Sequence, residues 1–394
     1  MIVRDPGPIA DHAAMRGVNR AAVLDHLSIH GDASRADIAA ATGLAKPTVS
    51  LIVADLLREQ LVSEIGLGPS KNAGGRPPVL LRFNARSSYL MGVHIGVRRT
   101  SIQLADALGK TIVETAFDTP KSRPVTALRR IADLALKQLE EHAIDPARLR
   151  SAVACLPGLV TVGGELRLAP NLGWRNVAVA EILSTELGCE ARAYNTTQAT
   201  LIAETHEGSA RSYEDVILVY AGTGIGAAAL TSGQLITGAH GFAGEFGHVP
   251  CDPQGRPCNC GKLGCLETVA SADAIVRDFA DPHARAAEDV ATAAAAGDER
   301  AAHVLRAAGQ ALGRAAAWLV NMLDPECVVL AGGLAAAGPP FVDAFATSMS
   351  TGALAESTSA LTVRTAALGQ SAEVRGAVLL AQQQSQRDDR FVFN

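Results

Sequence analysis

Between residues 245 and 267 the chain reads EFGHVPCDPQGRPCNCGKLGCLE, and no other stretch limits the possible folds as tightly. His248, Cys258, Cys260 and Cys265 offer one ring nitrogen and three sulfurs, the donor set of a tetrahedral structural zinc site whose four positions are all filled by protein. Gly255, Gly261 and Gly264 supply bends that let a loop wrap an ion. The Cys-x-Cys pair is tighter than ordinary finger spacing, which leaves two other readings open. Cys251, in the same loop, could serve as a ligand, or the three cysteines could cluster with His248 uninvolved. The chain has 7 cysteines, an odd number for a disulfide framework, and a crowd of them at 258–265 fits metal in a reducing compartment. Cys155, Cys189 and Cys327 lie in apolar runs and read as core residues.

The first residues, MIVRDPGPIADHAAM, place acids and proline where a signal peptide needs an apolar run. The Ala-rich stretches 286–297 and 327–338 are too short or too interrupted to span a bilayer. A cytoplasmic address with no membrane partner is expected. With 394 residues, 48% of them hydrophobic, the chain should form two or three domains with ordinary cores.

The net charge of -5 conceals an asymmetry. Residues 1–90 hold 10 basic and 8 acidic side chains, leaving 25 and 32 for the remainder. A small basic module therefore precedes a large acidic body. In the module, residues 18–29 have helical apolar spacing and Gly31 is a plausible stop. Ser34 opens a second helix with Asp37 completing an approximate capping box, and Gly43 breaks it. Pro47 suits the first turn of a third helix whose Val49, Ile52, Val53, Leu56 and Leu57 form one apolar stripe. Strands expected at 61–65 and 79–83, around a basic loop, add a wing. The module reads as a winged helix-turn-helix. Lys46, Thr48, Ser50 and Arg58 lie off the stripe and suit the major groove of double-stranded DNA, Lys71 a phosphate, and Arg76 a narrow minor groove. A three-helix packing unit with a solvated basic loop is the plainer alternative.

Beyond residue 84 short β-rich runs alternate with helical segments, which predicts an α/β body. Strands are expected at 89–96, 100–107, 111–117, 151–156, 215–220, 225–231 and 327–331. Helices are expected at 124–142, 178–187, 196–207, 272–280, 298–322, 339–350 and 372–384. Two strand clusters, MGVHIG and LVYAGTGIG, each open with a strand and a glycine turn, suggesting a duplicated lobe with a cleft between the copies. Gly222, Thr223 and Gly224 in one turn, and Gly332 and Gly333 after a later strand, could approach a phosphate closely. Their spacing fails the dinucleotide fingerprint, and turns kept for folding alone would look the same.

Taken together, these residues resemble the ROK family of repressors, uncharacterised reading frames and sugar kinases. The resemblance runs from GGRPPVLLRFN through MGVHIG, NLGW, GTGIG, EFGH and CNCGKLGCLE to LAGGLAAAG. It implies two actin/ribonuclease H-like lobes with a sugar in the cleft, and a zinc-binding loop. The division implied is residues 1–86 for the winged module, 87–197 for the first lobe, completed by 372–394, and 198–371 for the second lobe with its zinc loop at 248–265. It also implies that Asn171, Asn195, Glu245, His248 and Glu267 hold sugar hydroxyls, with His248 serving zinc through one ring nitrogen and sugar through the other. Carboxylates and amides are natural partners of vicinal hydroxyls, and a metal fixes a ring and its tautomer.

Two departures from the family's kinases bear on activity. The first phosphate loop carries His94 where those kinases have Asp, followed by Arg98 and Arg99 in place of small residues. Thr196 follows Asn195 where they have the Asp general base. Losing a positioned base costs about 10²- to 10⁴-fold in rate. The expected function is therefore a sugar-responsive repressor that binds a sugar without phosphorylating it, with structural zinc and without ATP. It should act as a homodimer or higher oligomer on a pseudo-palindromic operator. The alternatives are a DNA-binding protein that still phosphorylates a hexose, and a constitutive DNA-bound scaffold.

Overall fold

The computed structural model describes residues 8–69 and 77–391. Its N-terminal module runs α1 (Pro8–His30), β1 (Ala33–Ser34), α2 (Arg35–Thr42), α3 (Lys46–Arg58), β2 (Val62–Leu67) and β3 (Val79–Phe83). Ser34 and Asp37 form a reciprocal capping box at α2, and Gly43 closes that helix in the left-handed region at φ 71°. Pro47 sits in the first turn of α3, and the two helices are inclined at 119°. Val49, Val53 and Leu56 of α3 are fully buried against Val23 and Leu27 of α1, Ile38 of α2 and Leu81 of β3. β3 is the middle strand of a three-stranded sheet, between β1 and β2. α1 begins ten residues before the span expected from apolar spacing, in a stretch with little hydrophobic contrast.

The next unit comprises β4 (Tyr89–Ile95), β5 (Arg99–Asp106), β6 (Thr111–Asp118), α4 (Pro124–Glu141), β7 (Leu149–Leu156), β8 (Leu159–Val160), β9 (Leu166–Ala169), β10 (Trp174–Val177), α5 (Val179–Leu187), β11 (Glu190–Asn195) and α6 (Thr196–His206). It is followed by β12 (Val216–Ala221), β13 (Ile225–Thr231), β14 (Gln234–Leu235), α7 (Glu267–Ala270), α8 (Ala272–Phe279), α9 (Ala287–Ala295), α10 (Glu299–Leu323), β15 (Cys327–Ala331), α11 (Pro339–Gly352), α12 (Ala355–Thr358), β16 (Thr362–Thr365) and α13 (Ala372–Phe391).

Two sheets organise these elements, ordered β11-β7-β4-β5-β6 and β16-β15-β12-β13-β14. Each has its first strand at the centre, an antiparallel meander on one side and two parallel strands on the other. The body is thus one topology used twice, as the paired strand-and-glycine-turn segments suggest. A small antiparallel sheet, β8-β9-β10, is inserted in the first copy.

α4 and α5 cover one face of the first sheet, and α8 to α11 cover the far face of the second. α6 and α13 lie between the sheets, where Leu90, Val153, Leu201, Leu218, Val329 and Val378 share one core. The last helix therefore returns to the first sheet. Two close approaches demand glycine there: a Cβ on Gly92 would lie 2.6 Å from the Val374 carbonyl oxygen, and one on Gly376 would lie 1.8 Å from that of Ala199. A boundary at 197/198 falls inside α6. No single helix among the described residues is long and apolar enough to cross a membrane.

Candidate sugar and metal site

The loop between β14 and α7 is built by short-range bonds that bring His248 and the three cysteines together. Phe246–His248 makes one 3-10 turn, Pro250 bridges to Cys265, and Pro257 bridges to Leu263. The Cys258 amide donates to the Lys262 carbonyl at 2.8 Å, and the Gly261 amide donates to Cys258 at 2.9 Å. This tight turn presents Cys258 and Cys260 to the same side. Gly264 must be glycine: its φ is +63°, and a Cβ would lie 1.5 Å from the Asp252 carbonyl oxygen.

One ligand atom from each of His248, Cys258, Cys260 and Cys265 falls within 4.8 Å of the others. Cys260 Sγ and Cys265 Sγ are 3.6 Å apart, and Cys258 Sγ is 3.6 Å from His248 Nδ1. Those spacings suit a tetrahedral ion with metal–sulfur bonds of about 2.3 Å. The donor chemistry fits as well. Burial pushes the Cys265 thiol up to about 12 and also raises Cys258. At Cys260 burial is outweighed by hydrogen bonds from the Lys262 amide and the two neighbouring thiols, which lower it. Three thiolates packed this closely call for a cation. Cys251 stands outside the group, exposed, with its sulfur toward the Val249 carbonyl. Cys155 and Cys327 are fully buried, and Cys189 packs against the core of the first lobe.

The other edge of the His248 ring faces Glu245. Nε2 lies 3.8 Å from Glu245 Oε2. Burial raises the Glu245 carboxyl; His248 opposes that shift and Glu267 adds to it. Glu267 Oε2 accepts from the Ile225 amide at 3.0 Å, which fixes the carboxylate beside the β12-β13 turn. A Cβ on Gly224 in that turn would lie 3.0 Å from Glu267 Oε2 and 3.9 Å from Asn171 Nδ2. Asn171, Gly224, Glu245, His248 and Glu267 therefore share one polar corner, with metal donors behind the ring. The Val162 amide donates to the His240 carbonyl at 3.3 Å, joining the β8-β9 turn to the loop that leads into Glu245.

Asn195 is placed differently from the other expected sugar ligands. Its Oδ1 caps α6 by accepting from the Thr197 amide at 2.7 Å, and its Nδ2 donates to the Gly158 carbonyl at 2.9 Å. The side chain is engaged at both ends. Thr196, at the head of α6, is buried, and its hydroxyl has no hydrogen-bond partner among the described residues. His94 lies in β4 across from Ser101 and Cys155, and burial lowers its pKa to about 4, so it is neutral near pH 7.

The two glycine turns have local reasons for glycine. The Gly222 amide donates to the Gly224 carbonyl at 3.0 Å within the β12-β13 connection that contains Thr223. Gly332 has φ +84°, and a Cβ there would lie 2.3 Å from the Ala221 carbonyl oxygen. Gly333 borders a cavity of about 360 Å³ between α9 and the start of α11, where Glu288 adds a carboxylate and Pro339 and Pro340 lack amide hydrogens.

On the N-terminal module, Lys46 and Ser50 are exposed and Thr48 is half-buried on α3; the Ser50 hydroxyl donates back to the Lys46 carbonyl at 2.9 Å. Arg58 pairs with Asp55 at 2.5 Å. Lys71 and Arg76 lie outside the described residues. Leu51 stands 71% exposed among these groups.

The half-buried His94, its ring largely withdrawn from water, has a pH consequence. An unfolded imidazole titrates near 6.5 and the folded one near 4, so acid favours the unfolded chain. The stability that neutral His94 contributes is full above pH 6.5 and is lost progressively between about 6.5 and 4. The loss amounts to about 3 kcal/mol. Thermal melts across this range should show that acid limb, and His94→Gln should flatten it; an identical limb in the variant would assign it to other groups.

Two matching α/β lobes around a polar corner of carboxylates, amide and imidazole define a sugar-kinase-like body. The chain belongs to the ROK family: the family's sequence model matches residues 90–384. It is 27% identical over 369 residues to the xylose repressor of Bacillus subtilis (strain 168), covering 93% of this chain and 96% of that one. A crystal structure of a ROK family transcriptional regulator, a homologue of the E. coli MLC protein, superposes with TM-score 0.80 at 26% identity, covering 96% and 98% of the two chains. The ROK hexokinase of Thermus thermophilus superposes with TM-score 0.65 at 27% identity, covering 76% of this chain and 99% of that one.

Proposed function

We propose that this chain is a sugar-responsive, DNA-binding transcriptional repressor whose kinase-like cleft binds a sugar without phosphorylating it. One observation carries this reading: a polar corner of Asn171, Glu245, His248 and Glu267 stands in the same chain as a threonine, Thr196, at the position of the general base. A threonine hydroxyl cannot accept a proton from a sugar hydroxyl at neutral pH. Neutral His94 supplies no carboxylate for a magnesium ion in the first phosphate loop. Glu288 beside Gly333 and the prolines at the start of α11 further disfavour nucleotide phosphates there. Near-full coverage by a repressor and partial coverage by a hexokinase support the same division of roles.

The metal is zinc, held by His248, Cys258, Cys260 and Cys265 with every position filled, and its role is structural. When bound, it neutralises the thiolates and holds the imidazole ring still. His248 Nδ1 is thereby committed to the metal, and Nε2 together with Glu245 receives a sugar hydroxyl. Glu267 and Asn171 hold further hydroxyls, and Asn195 acts chiefly by capping α6 and tethering Gly158.

Residues 1–86 form a winged helix-turn-helix. α3 enters the major groove with Lys46, Thr48 and Ser50 foremost, and Arg58 reaches DNA by exchanging its pair with Asp55. Lys71 serves a phosphate and Arg76 the minor groove. The acidic body, divided into lobes at 87–197 with the last helix and 198–371, forms a homodimer that spaces two such modules on a pseudo-palindromic operator. Sugar closing the cleft alters that spacing to the extent of its differential affinity for the two states.

A coupled assay for ADP release separates this reading from a DNA-binding kinase. The native chain and Thr196→Asp are both expected to be silent with every aldose tested, since the single reversion leaves His94 in place. Turnover by the native chain would establish the kinase.

A further inference from the structure

Resting on the sugar-responsive repressor reading above, we propose that Arg375 is the positioning residue that carries movement of the lobes to the N-terminal module, through the 106–110 turn and the Ala85 carbonyl at the module's root. Arg375 lies in the first turn of α13, just after the chain returns from the second lobe. Its guanidinium is divided between two targets. Nε donates to Glu207 Oε2 at 2.7 Å and Nη2 to Glu207 Oε1, while Nη1 donates to the Gly109 carbonyl. The Arg375 guanidinium holds the Glu207 carboxyl below the usual carboxylate range, so the pair stays charged.

Each target stands at a junction. Glu207 is the C-cap of α6, where the chain leaves for the second lobe. Gly109 sits in the turn between β5 and β6, which its own bonds make stiff. The Asp106 carboxylate accepts from the Leu108 and Lys110 amides at 3.0 and 2.9 Å, and the Gly109 amide donates to the Asp106 carbonyl at 2.8 Å. Gln382, further along α13, closes the other side: a Cβ on Gly109, at φ +76°, would lie 2.9 Å from Gln382 Oε1.

The same turn touches the N-terminal module. The Ala107 amide donates to the Ala85 carbonyl at 2.9 Å. Asn84, beside Ala85, is fastened just past the end of α3: its amide donates to the Leu61 carbonyl and its Nδ2 to the Gln60 carbonyl, both at 2.9 Å. The Leu61 amide returns to the Leu56 carbonyl of α3 at 2.9 Å. A continuous set of hydrogen bonds therefore runs from the junction of the lobes to the helix assigned to the major groove. The guanidinium presents its donors in a fixed plane, so a shift of Glu207 against α13 re-aims Nη1 at the Gly109 carbonyl. Such a chain of contacts transmits a signal only if it biases two states differently, and that is what must be measured. α1 also packs on α13, a second route that bypasses Arg375.

The test uses the zinc-loaded full chain. Calorimetry with aldoses and N-acetylated amino sugars identifies a ligand, and a duplex selected from a random library is then titrated with and without it. In the native chain the sugar is expected to shift the DNA Kd at least about fivefold. Arg375→Met should bind the sugar within about threefold of native, while its DNA Kd shifts less than about twofold. Arg375→Lys keeps a charge beside Glu207 but lacks the fork, so it should lose the shift to a similar extent with a native-like melting temperature. Hydrogen exchange at the Ala107 amide of the native chain should change at least about threefold on adding sugar, a readout that needs no substitution. A full native shift in either variant overturns the proposal and assigns the coupling to the α1–α13 contact. A lowered melting temperature with an unchanged shift also overturns it, making Arg375 purely structural. If neither variant folds, exchange at Ala107 decides, and an unchanged rate there overturns the proposal. In each of those cases a sugar-dependent DNA Kd in the native chain leaves the sensor reading standing. A native DNA Kd that ignores every bound sugar ends that reading and this proposal with it.

Discussion

Replacing Cys265 by serine is expected to abolish metal binding and, with it, sugar binding. Cys265 is 1% exposed, bridges to Pro250, and directs its sulfur at the Cys260 sulfur. Backbone hydrogen bonds shape the loop, but three thiol groups and an imidazole converge inside it, so a bound ion would add greatly to its order; structural zinc in small sites contributes about 10 to 16 kcal/mol of apparent binding free energy. Glu245, His248 and the run-in to Glu267 belong to this loop, so its loosening would disturb three of the proposed sugar contacts together. Metal analysis should fall from about one zinc per chain to near zero, and the sugar Kd should rise by more than about 100-fold. A chelator should lower the melting temperature of the native chain and leave that of Cys265→Ser unmoved. Full sugar affinity in a metal-free variant would show that the loop holds its shape without the ion.

The second large effect is expected at Glu204, on the α6 segment that carries the chain from one lobe to the other. Its side chain is fully buried, and its carboxylate accepts from the Ser209 amide at 2.8 Å, the Ser209 hydroxyl at 3.0 Å, the Ala367 amide at 3.0 Å and the Leu368 amide at 2.9 Å. Ser209 belongs to the crossover from α6 to β12, and Ala367 and Leu368 to the crossover from β16 back to α13. One carboxylate thus fastens both connections between the lobes. Glu204→Ala leaves four donors without their acceptor, and a loss of about 3 to 5 kcal/mol is expected. Glu204→Gln keeps one acceptor oxygen but turns an amide group toward a backbone N–H, so about half that loss should follow. Denaturant unfolding measures both; a change below about 1 kcal/mol for the alanine variant would mean that water replaces the carboxylate freely.

Much of this was legible in the sequence because the signals were local. The Ser34 capping box, the Gly43 stop and the apolar stripe of α3 depend on residues three or four apart, and each is present in the fold. The central strands of both sheets were visible as β-rich runs. Strands β11 and β16 were not: EARAYN and TVRT are short, mixed in polarity and lie at sheet edges, so alternation had little to act on. α9 was read only as an Ala-rich stretch, because it is short and Val290 is its one large apolar side chain, too little to show a helical period.

In the site, residue types and spacing pointed to His248 and the three cysteines, and the family resemblance implied Glu245 and Glu267. The double engagement of Asn195 and the orphaned hydroxyl of Thr196 arise from partners 37 residues away or from the lack of one, which no local pattern encodes. Glu204 and the Tyr220–Glu373 hydrogen bond of 3.1 Å between the lobes escaped for the same reason. A glutamate amid the apolar and small residues of TTQATLIAETH was the one available signal for Glu204.

The central claim is that sugar in the cleft changes the grip of the N-terminal module on DNA. Its most direct test is one titration: the zinc-loaded chain against a duplex selected from a random library, with and without a saturating sugar identified by calorimetry. The account predicts a DNA Kd shifted at least about fivefold by the sugar, and a shift that disappears in Glu267→Gln. A selected duplex bound with the same Kd at every sugar concentration would contradict it.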